Sequence, residues 1–295
     1  MPIEFPMRGE TRSLTPELRE NLPGAFVRLP DGVTHYQLAG PEGAPLAVLV
    51  HGFSVPYFIW DPTFDFLVQS GYRVLRFDLF GRGYSDRPHL RYNLDLFTRQ
   101  LSGLLDALGI TKCRAVFGLS MGGVVAANFA VKFPDRLEKL VLVDPAGFPL
   151  DVPAAFKFLL APGVGEAVFG LLSEKRLEAV IGGSLFDPSE VALVIDRYRP
   201  QMRIRGFRRA LLSTIRAGVA DDGISIYRDL GRLEDLPVLL LWGDQDKAVP
   251  IQFSRVFLSL VPHTQFHRIC GAGHIPHYQQ AEQVNPIIGE FLSDE

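Results

Sequence analysis

Three short segments, far apart in the chain, carry an alcohol, a carboxylate and an imidazole, residue types that could together do nucleophilic acyl-transfer chemistry. Gly118-Leu119-Ser120-Met121-Gly122 has the pattern G-x-S-x-G, preceded by an apolar run and followed by the helix-like Gly123–Ala130. Such a context suits a strand–turn–helix elbow that holds a serine hydroxyl up at a sheet edge. Flanking glycines let neighbouring backbones pass without Cβ collisions, and the helix start behind the serine favours developing negative charge. A glycine-rich helix start with an ordinary capping serine would show the same five residues. Ser120 needs a base within hydrogen-bond reach. His274, in the turn Gly271-Ala272-Gly273-His274 after the last strand-like run, is the candidate. A histidine base needs an acid on its other nitrogen to fix the tautomer. Asp246, in Gly243-Asp244-Gln245-Asp246, is the choice; Asp144, which ends an earlier strand, is the alternative. Along the chain the three follow in the order Ser120, Asp246, His274, nucleophile first and base last.

Acyl transfer also needs two amide donors for the oxyanion. One is expected from Met121, after the nucleophile, and the other from Phe53 in His51-Gly52-Phe53-Ser54. His51 is expected to order that loop, and Gly52 to allow close backbone approach. Gly52, Ser54, Phe148, Phe156 and His277 are the candidate pocket residues, with Phe53, Met121 and Phe158 as further apolar candidates for its wall. For the phenylalanines, core packing is an equal or stronger reading. The remaining histidines, His35, His89, His263 and His267, are read as surface or hydrogen-bonding residues. No metal-ligand spacing or cofactor motif is required by this chemistry, so neither is expected.

The elements that must position these residues are legible as apolar runs alternating with helix-like stretches, the pattern of a mainly parallel α/β sheet. Strands are expected at Phe26–Leu29, Thr34–Ala39, Leu46–Val50, Arg73–Phe77, Arg114–Phe117, Leu140–Val143, Val238–Leu241 and Phe266–Ile269. Helices are expected near Asp61–Gln69, Leu94–Leu108, Gly122–Lys132, Ile251–Leu260 and Gln279–Leu292. The buried runs finish in Gly, Asp, Ser or His, and ligands bind beyond the carboxyl ends of strands in open α/β sheets. The rhythm breaks over 148–231, which offers helical pieces such as Ala154–Leu160, Glu166–Leu172 and Phe207–Arg216 but no buried strand. It reads as a helical cap between core segments 1–147 and 232–295. Its arginines, Arg197, Arg199, Arg203, Arg205, Arg208 and Arg209, read as a solvated face.

Taken together, these pieces resemble the α/β-hydrolase superfamily along nearly the whole chain. The resemblance is carried by His51-Gly52-Phe53, Asp78-Leu79-Phe80-Gly81-Arg82-Gly83-Tyr84-Ser85-Asp86, Gly118–Gly123, Gly243–Asp246 and Gly271–His274, in that order. It implies a mostly parallel eight-stranded sheet flanked by helices, a helical cap after the sixth strand, and the roles assigned above. The Gly-Arg-Gly-Tyr-Ser-Asp loop is structural in most relatives, so Arg82 and Ser85 are not expected to be catalytic. The chain is most similar to cap-bearing serine esterases and monoacylglycerol-lipase-like members. Epoxide hydrolases and haloalkane dehalogenases use an aspartate nucleophile, which Ser120 argues against. Carbon–carbon bond hydrolases usually have Asn before the nucleophile and a longer Gly-Pro-Gly loop; Leu119 and Phe53-Ser54 depart from both. They stay open as alternatives, as do cofactor-free perhydrolases or haloperoxidases with the same triad. A slow-turnover ligand receptor or pseudoenzyme is the alternative from another class.

Bulk properties agree with this reading. The chain has 295 residues, 47% apolar and 21% charged, enough for one sizeable α/β domain with an insert. A formal charge of −3 gives no electrostatic case for nucleic acid. Two cysteines do not make a disulfide framework. The first residues, broken by proline and charge, lack a signal-peptide core, and no uncharged apolar stretch reaches about 18 residues. A cytoplasmic enzyme acting on a small-molecule ester is the expectation.

Overall fold

The computed structural model describes residues 7–149, 160–185, 188–221 and 223–294. Eight strands form one sheet: β1 Ala25–Leu29, β2 Gly32–Ala39, β3 Leu46–Val50, β4 Arg73–Phe77, β5 Cys113–Leu119, β6 Leu137–Val143, β7 Val238–Gly243 and β8 Thr264–Ile269. Their spatial order is β1-β2-β4-β3-β5-β6-β7-β8. β1 and β2 form a hairpin, and β2 meets β4 antiparallel; all later pairs are parallel. The central strands are apolar on both faces because helices cover both. All five residues of β3 are buried, as are six of seven in β5 and in β6.

Besides short helical turns at Pro16–Glu20 and Pro276–Gln279, the helices among the described residues are α1 Asp61–Gln69, α2 Leu94–Ala107, α3 Met121–Lys132, α4 Val164–Leu171, α5 Glu174–Leu185, α6 Pro188–Met202, α7 Phe207–Arg216, α8 Ile224–Leu230, α9 Phe253–Leu260 and α10 Ala281–Ser293. Helix α3 follows the elbow and is the most buried, from Met121 through Ala130, so it reads as an apolar run and not as one stripe. Helices α4–α8 fall between β6 and β7, and no strand occurs there among the described residues. The expected helix at Ala154–Leu160 lies almost wholly outside the described residues.

Register explains why chemistry collects at one edge. Val50 pairs with Phe77 and with Gly118, Leu119 with Val143, Val143 with Leu241, and Gly243 with Ile269. The residues that follow these positions, His51, Asp78, Ser120, Asp144 and the Asp244–Asp246 turn, therefore emerge side by side. The arginines of 148–231 follow the sequence expectation only in part. Arg197 and Arg199 keep about half of their side chains exposed and pair with Asp61 and Glu178. Arg208 is a correction: it is fully buried, with Nη2 donating to the Leu172 carbonyl at 2.9 Å. Helix α7 turns it inward, with Phe207 and Leu211, away from solvent.

Candidate active site

Ser120 sits between β5 and α3 at φ 53°, ψ −121°. Only Ser120 and Asp144 among described non-glycine residues have positive φ. Such a conformation costs on the order of 1–3 kcal/mol and persists only where the surroundings enforce it. The neighbouring glycines do so by contact. A Cβ on Gly118 would lie 2.4 Å from the Gly122 carbonyl, and one on Gly122 would lie 2.4 Å from the carbonyls of both Val50 and His51. The G-x-S-x-G spacing thus reports a crossing of three backbone segments.

His274 and Asp246 meet as the sequence implied. The imidazole Nδ1 is 2.7 Å from Asp246 Oδ2, and both residues are buried. Asp246 Oδ1 accepts from the N–H groups of Ala248 at 2.8 Å and Val249 at 3.0 Å, which fixes the carboxylate behind the ring. Nε2 is the nitrogen left for a proton from Ser120. Ser120 and His274 line one cavity. No hydrogen bond joins them among the described residues, and catalytic hydrogen bonds of this kind often tighten only in the substrate complex. Asp144, the alternative acid, accepts from Gly243 N–H at 2.9 Å and makes no hydrogen bond to His274.

The amides of Phe53 and Met121 are not taken up by any protein acceptor among the described residues. The loop carrying Phe53 is held from three sides. His51 Nδ1–H donates to Gly52 O at 2.8 Å, and its Nε2 accepts from Leu79 N–H at 2.9 Å. Burial pushes the His51 pKa down to about 4, so the ring is a neutral brace. Arg82 donates from Nε to Phe53 O at 2.7 Å, from Nη1 to Phe80 O and from Nη2 to Thr214. Gln201 of α6 donates to Ser54 O at 3.1 Å while accepting from Gly83 N–H. The Gly-Arg-Gly-Tyr-Ser-Asp loop therefore supports the site without entering it.

A cavity of about 490 Å³ opens in front of Ser120. Gly52, Phe53, Ser54 and Phe148 line it, as the sequence suggested. Phe156 and Phe158 lie outside the described residues. Two candidates are corrected. The Met121 side chain does not line the cavity; it is buried under α3 in the core, leaving only its backbone N–H for the site. His277 does not line it either. The short helical turn after Ile275 aims its ring at Trp60, 4.3 Å between centroids, with Nε2–H donating to Ile59 O at 3.1 Å. Burial lowers its pKa to about 3, so it is a neutral core histidine. His35 is also buried, its nitrogens 2.7 Å from Asp78 Oδ2 and 2.7 Å from Pro23 O, which ties β2 to the loop after β4.

Sequence reasoning missed the share of the wall that α6 and α7 supply: Tyr198 from α6, and Leu211 and Ile215 from α7. The i, i+4 spacing of the last two is the signal that was available. Tyr198 is fully buried, and Ser54 is its neighbouring hydroxyl at a geometry that leaves Tyr198 Oη without a hydrogen bond. No lysine, arginine, aspartate or glutamate lines the cavity among the described residues; His274 is its one titratable imidazole. The two cysteines, buried Cys113 and exposed Cys270, are free and not part of the site.

An elbow serine, a buried His–Asp pair and two free amides at the carboxyl edge of this sheet define an α/β hydrolase. The chain belongs to the alpha/beta hydrolase family, whose model matches residues 47–287. It is 30% identical to a 2-hydroxy-6-oxononadienedioate/2-hydroxy-6-oxononatrienedioate hydrolase of Paraburkholderia xenovorans, over 91% of this chain and 94% of that one. It is 28% identical to epoxide hydrolase 4 of Mus musculus, over 92% and 79%. Among solved structures, a thermophilic esterase from Thermogutta terrifontis superposes with a TM-score of 0.72 at 26% identity, covering 91% of this chain and 98% of the esterase. No helix among the described residues is long and apolar enough to cross a membrane.

Proposed function

We propose that the protein hydrolyses neutral carboxylic esters with apolar acyl groups through an acyl-enzyme on Ser120. In this reading Ser120 Oγ attacks the ester carbonyl carbon as its proton passes to His274 Nε2, and Asp246 holds the imidazole by Nδ1. The carbonyl oxygen, now an oxyanion, takes hydrogen bonds from Phe53 and Met121 N–H. The C–O bond to the alcohol breaks as His274 returns the proton to the leaving oxygen. Water then attacks the acyl carbon and gives a proton to His274; the acyl–Oγ bond breaks as His274 passes that proton to Ser120 Oγ, and the carboxylic acid leaves. The residues of 148–231 act as a cap that completes the acyl pocket.

The observation that carries this reading is the wall of the cavity, which among the described residues is apolar apart from Ser54, Ser120, Tyr198 and His274. Such a wall favours acyl chains over charged substrates. A dienedioate, as named for the Paraburkholderia relative, is a dicarboxylate; two buried carboxylates call for cationic partners, and no lysine or arginine lines the cavity among the described residues. An epoxide hydrolase with an aspartate nucleophile is disfavoured by the hydroxyl at position 120.

The test is a panel of p-nitrophenyl esters graded in acyl length, run beside a ring-fission dienoate and a halide–peroxide assay. Turnover that rises with acyl length, and that Ser120→Ala abolishes, is expected. Ester turnover no faster than in Ser120→Ala, with the dienoate or the halide consumed instead, would overturn the proposal.

A further inference from the structure

Asp144 is a buried acid that the mechanism above does not use. It ends β6 at φ 42°, a strained conformation that directs its carboxyl toward the Asp246–His274 pair. One ligand-capable atom of each of Asp144, Asp246 and His274 lies within 4.8 Å of the others. Asp246 is well suited to be an anion: two backbone N–H groups serve Oδ1 and the imidazole serves Oδ2. Asp144 has one N–H, from Gly243, on Oδ1; its Oδ2 is fully buried and has no hydrogen-bond partner as a carboxylate. Two anions this close in a buried site repel each other strongly enough that one takes up a proton. The cluster is also unsuited to a cation, because the Asp246 and His274 atoms are already spent on each other at 2.7 Å.

We infer that Asp144 keeps its proton at neutral pH and donates it from Oδ2 to Asp246, so that the acid behind His274 is a hydrogen-bonded carboxyl–carboxylate pair with a single negative charge. The proton satisfies the one buried oxygen left unpaired. Burial, then the Asp246 charge, hold the Asp144 pKa well above its ordinary 3.8, against the opposing pull of the Gly243 N–H. The charged or titratable groups facing it are Asp246 and His274. Asp144 is thus a positioning residue: it spreads the Asp246 charge and tempers its hold on the imidazolium. The inference rests on the reading of Asp246 and His274 as acid and base.

Three measurements on the full chain test it. An infrared difference spectrum of wild type against Asp144→Asn at pH 7 should show a protonated-carboxyl stretch that the variant lacks. Second, the unfolded chain releases the Asp144 proton near its ordinary pKa while the folded chain keeps it, so wild type loses stability as pH rises from about 4, and the Asp144→Asn variant does not. The melting-temperature advantage of D144N should therefore grow between pH 4 and pH 7. Third, D144N retains an N–H for Asp246, whereas Asp144→Ala does not. The acidic limb of kcat/KM should move up by about one pH unit in D144A and stay near wild type in D144N. No carboxyl band, together with a melting difference independent of pH, would overturn the inference even if D144A fails to fold. With Ser120→Ala and Asp246→Ala inactive, that result leaves the hydrolase reading standing; full turnover in Asp246→Ala would remove both.

Discussion

The elbow offers the sharpest mutational test, Gly122→Ala. A Cβ there would stand 2.4 Å from two backbone carbonyl oxygens, where ordinary contact begins near 3.4 Å. Neither oxygen belongs to a movable side chain, so the β3 end and the His51-Gly52-Phe53 loop must retreat by about 1 Å. Overpacking of this kind costs about 1–3 kcal/mol. At roughly 2–4 °C per kcal/mol for a domain approaching this size, Tm should fall by about 2–12 °C. The retreat also carries the Phe53 amide away from Ser120, and a 1 Å misplacement of catalytic geometry costs on the order of 10²-fold in rate. The assay is thermal unfolding paired with kcat/KM on the best ester of the panel. Gly103→Ala is the counterpart. It lies inside α2, and its Cβ would meet only Leu29 Cδ1 at 3.9 Å. Alanine should stabilise that helix by about 0.5–1 kcal/mol and leave turnover unchanged. Gly122→Ala with wild-type Tm and rate, or Gly103→Ala equally damaged, would refute the crossing-backbone argument.

Tyr198→Phe removes a buried hydroxyl that has no hydrogen bond, so the protein should be as stable or up to about 1–3 kcal/mol more stable, while KM rises for esters with a polar group that reaches it. Calorimetry and steady-state kinetics on one preparation check both signs. Arg82→Lys loses the fork that grips Phe53 O, Phe80 O and Thr214; kcat should fall at least ~10-fold with KM little changed, because the loop it steadies acts on the transition state. Between α7 and α4, Arg216 donates to Glu166 Oε2 at 2.9 Å, and this contact chiefly holds the Glu166 pKa at about 2, down from 4.5. A lowered carboxylate pKa stabilises above the unfolded value and is lost as pH falls through the folded one. Amide exchange in α4 should therefore accelerate between about pH 4.5 and pH 2 in wild type, and show no such step in Arg216→Ala.

How much of this was legible in the sequence varies with the range of the forces involved. Leu46–Val50 and Arg73–Phe77 have the bounds expected, because each is an apolar run closed by turn residues. β6 begins at Leu137, three residues before its expected start, because Glu138 and Lys139 disguise it. Glu138 is paired with Arg114 at the surface, and buried Lys139 donates to the carbonyls of Phe291 and Asp294 at 2.6 Å. The Asp246–His274 contact was inferable because the order of strand ends is fixed by the fold. His277 was misjudged because closeness in sequence to His274 says nothing about direction, which a single helical turn reverses. Tyr198 was hidden between Arg197 and Arg199, where charge suggests a solvated face. Its place in the cavity depends on how α6 packs over the Ser54 loop, a contact about 150 residues long that no local pattern encodes.

The most direct test of the account is to trap the acyl-enzyme. Protein quenched in acid during turnover of a slowly deacylating ester should carry one acyl group, located by peptide mass spectrometry on Ser120 and missing from Ser120→Ala. An acyl group on another residue, or undiminished ester turnover by Ser120→Ala, would contradict it.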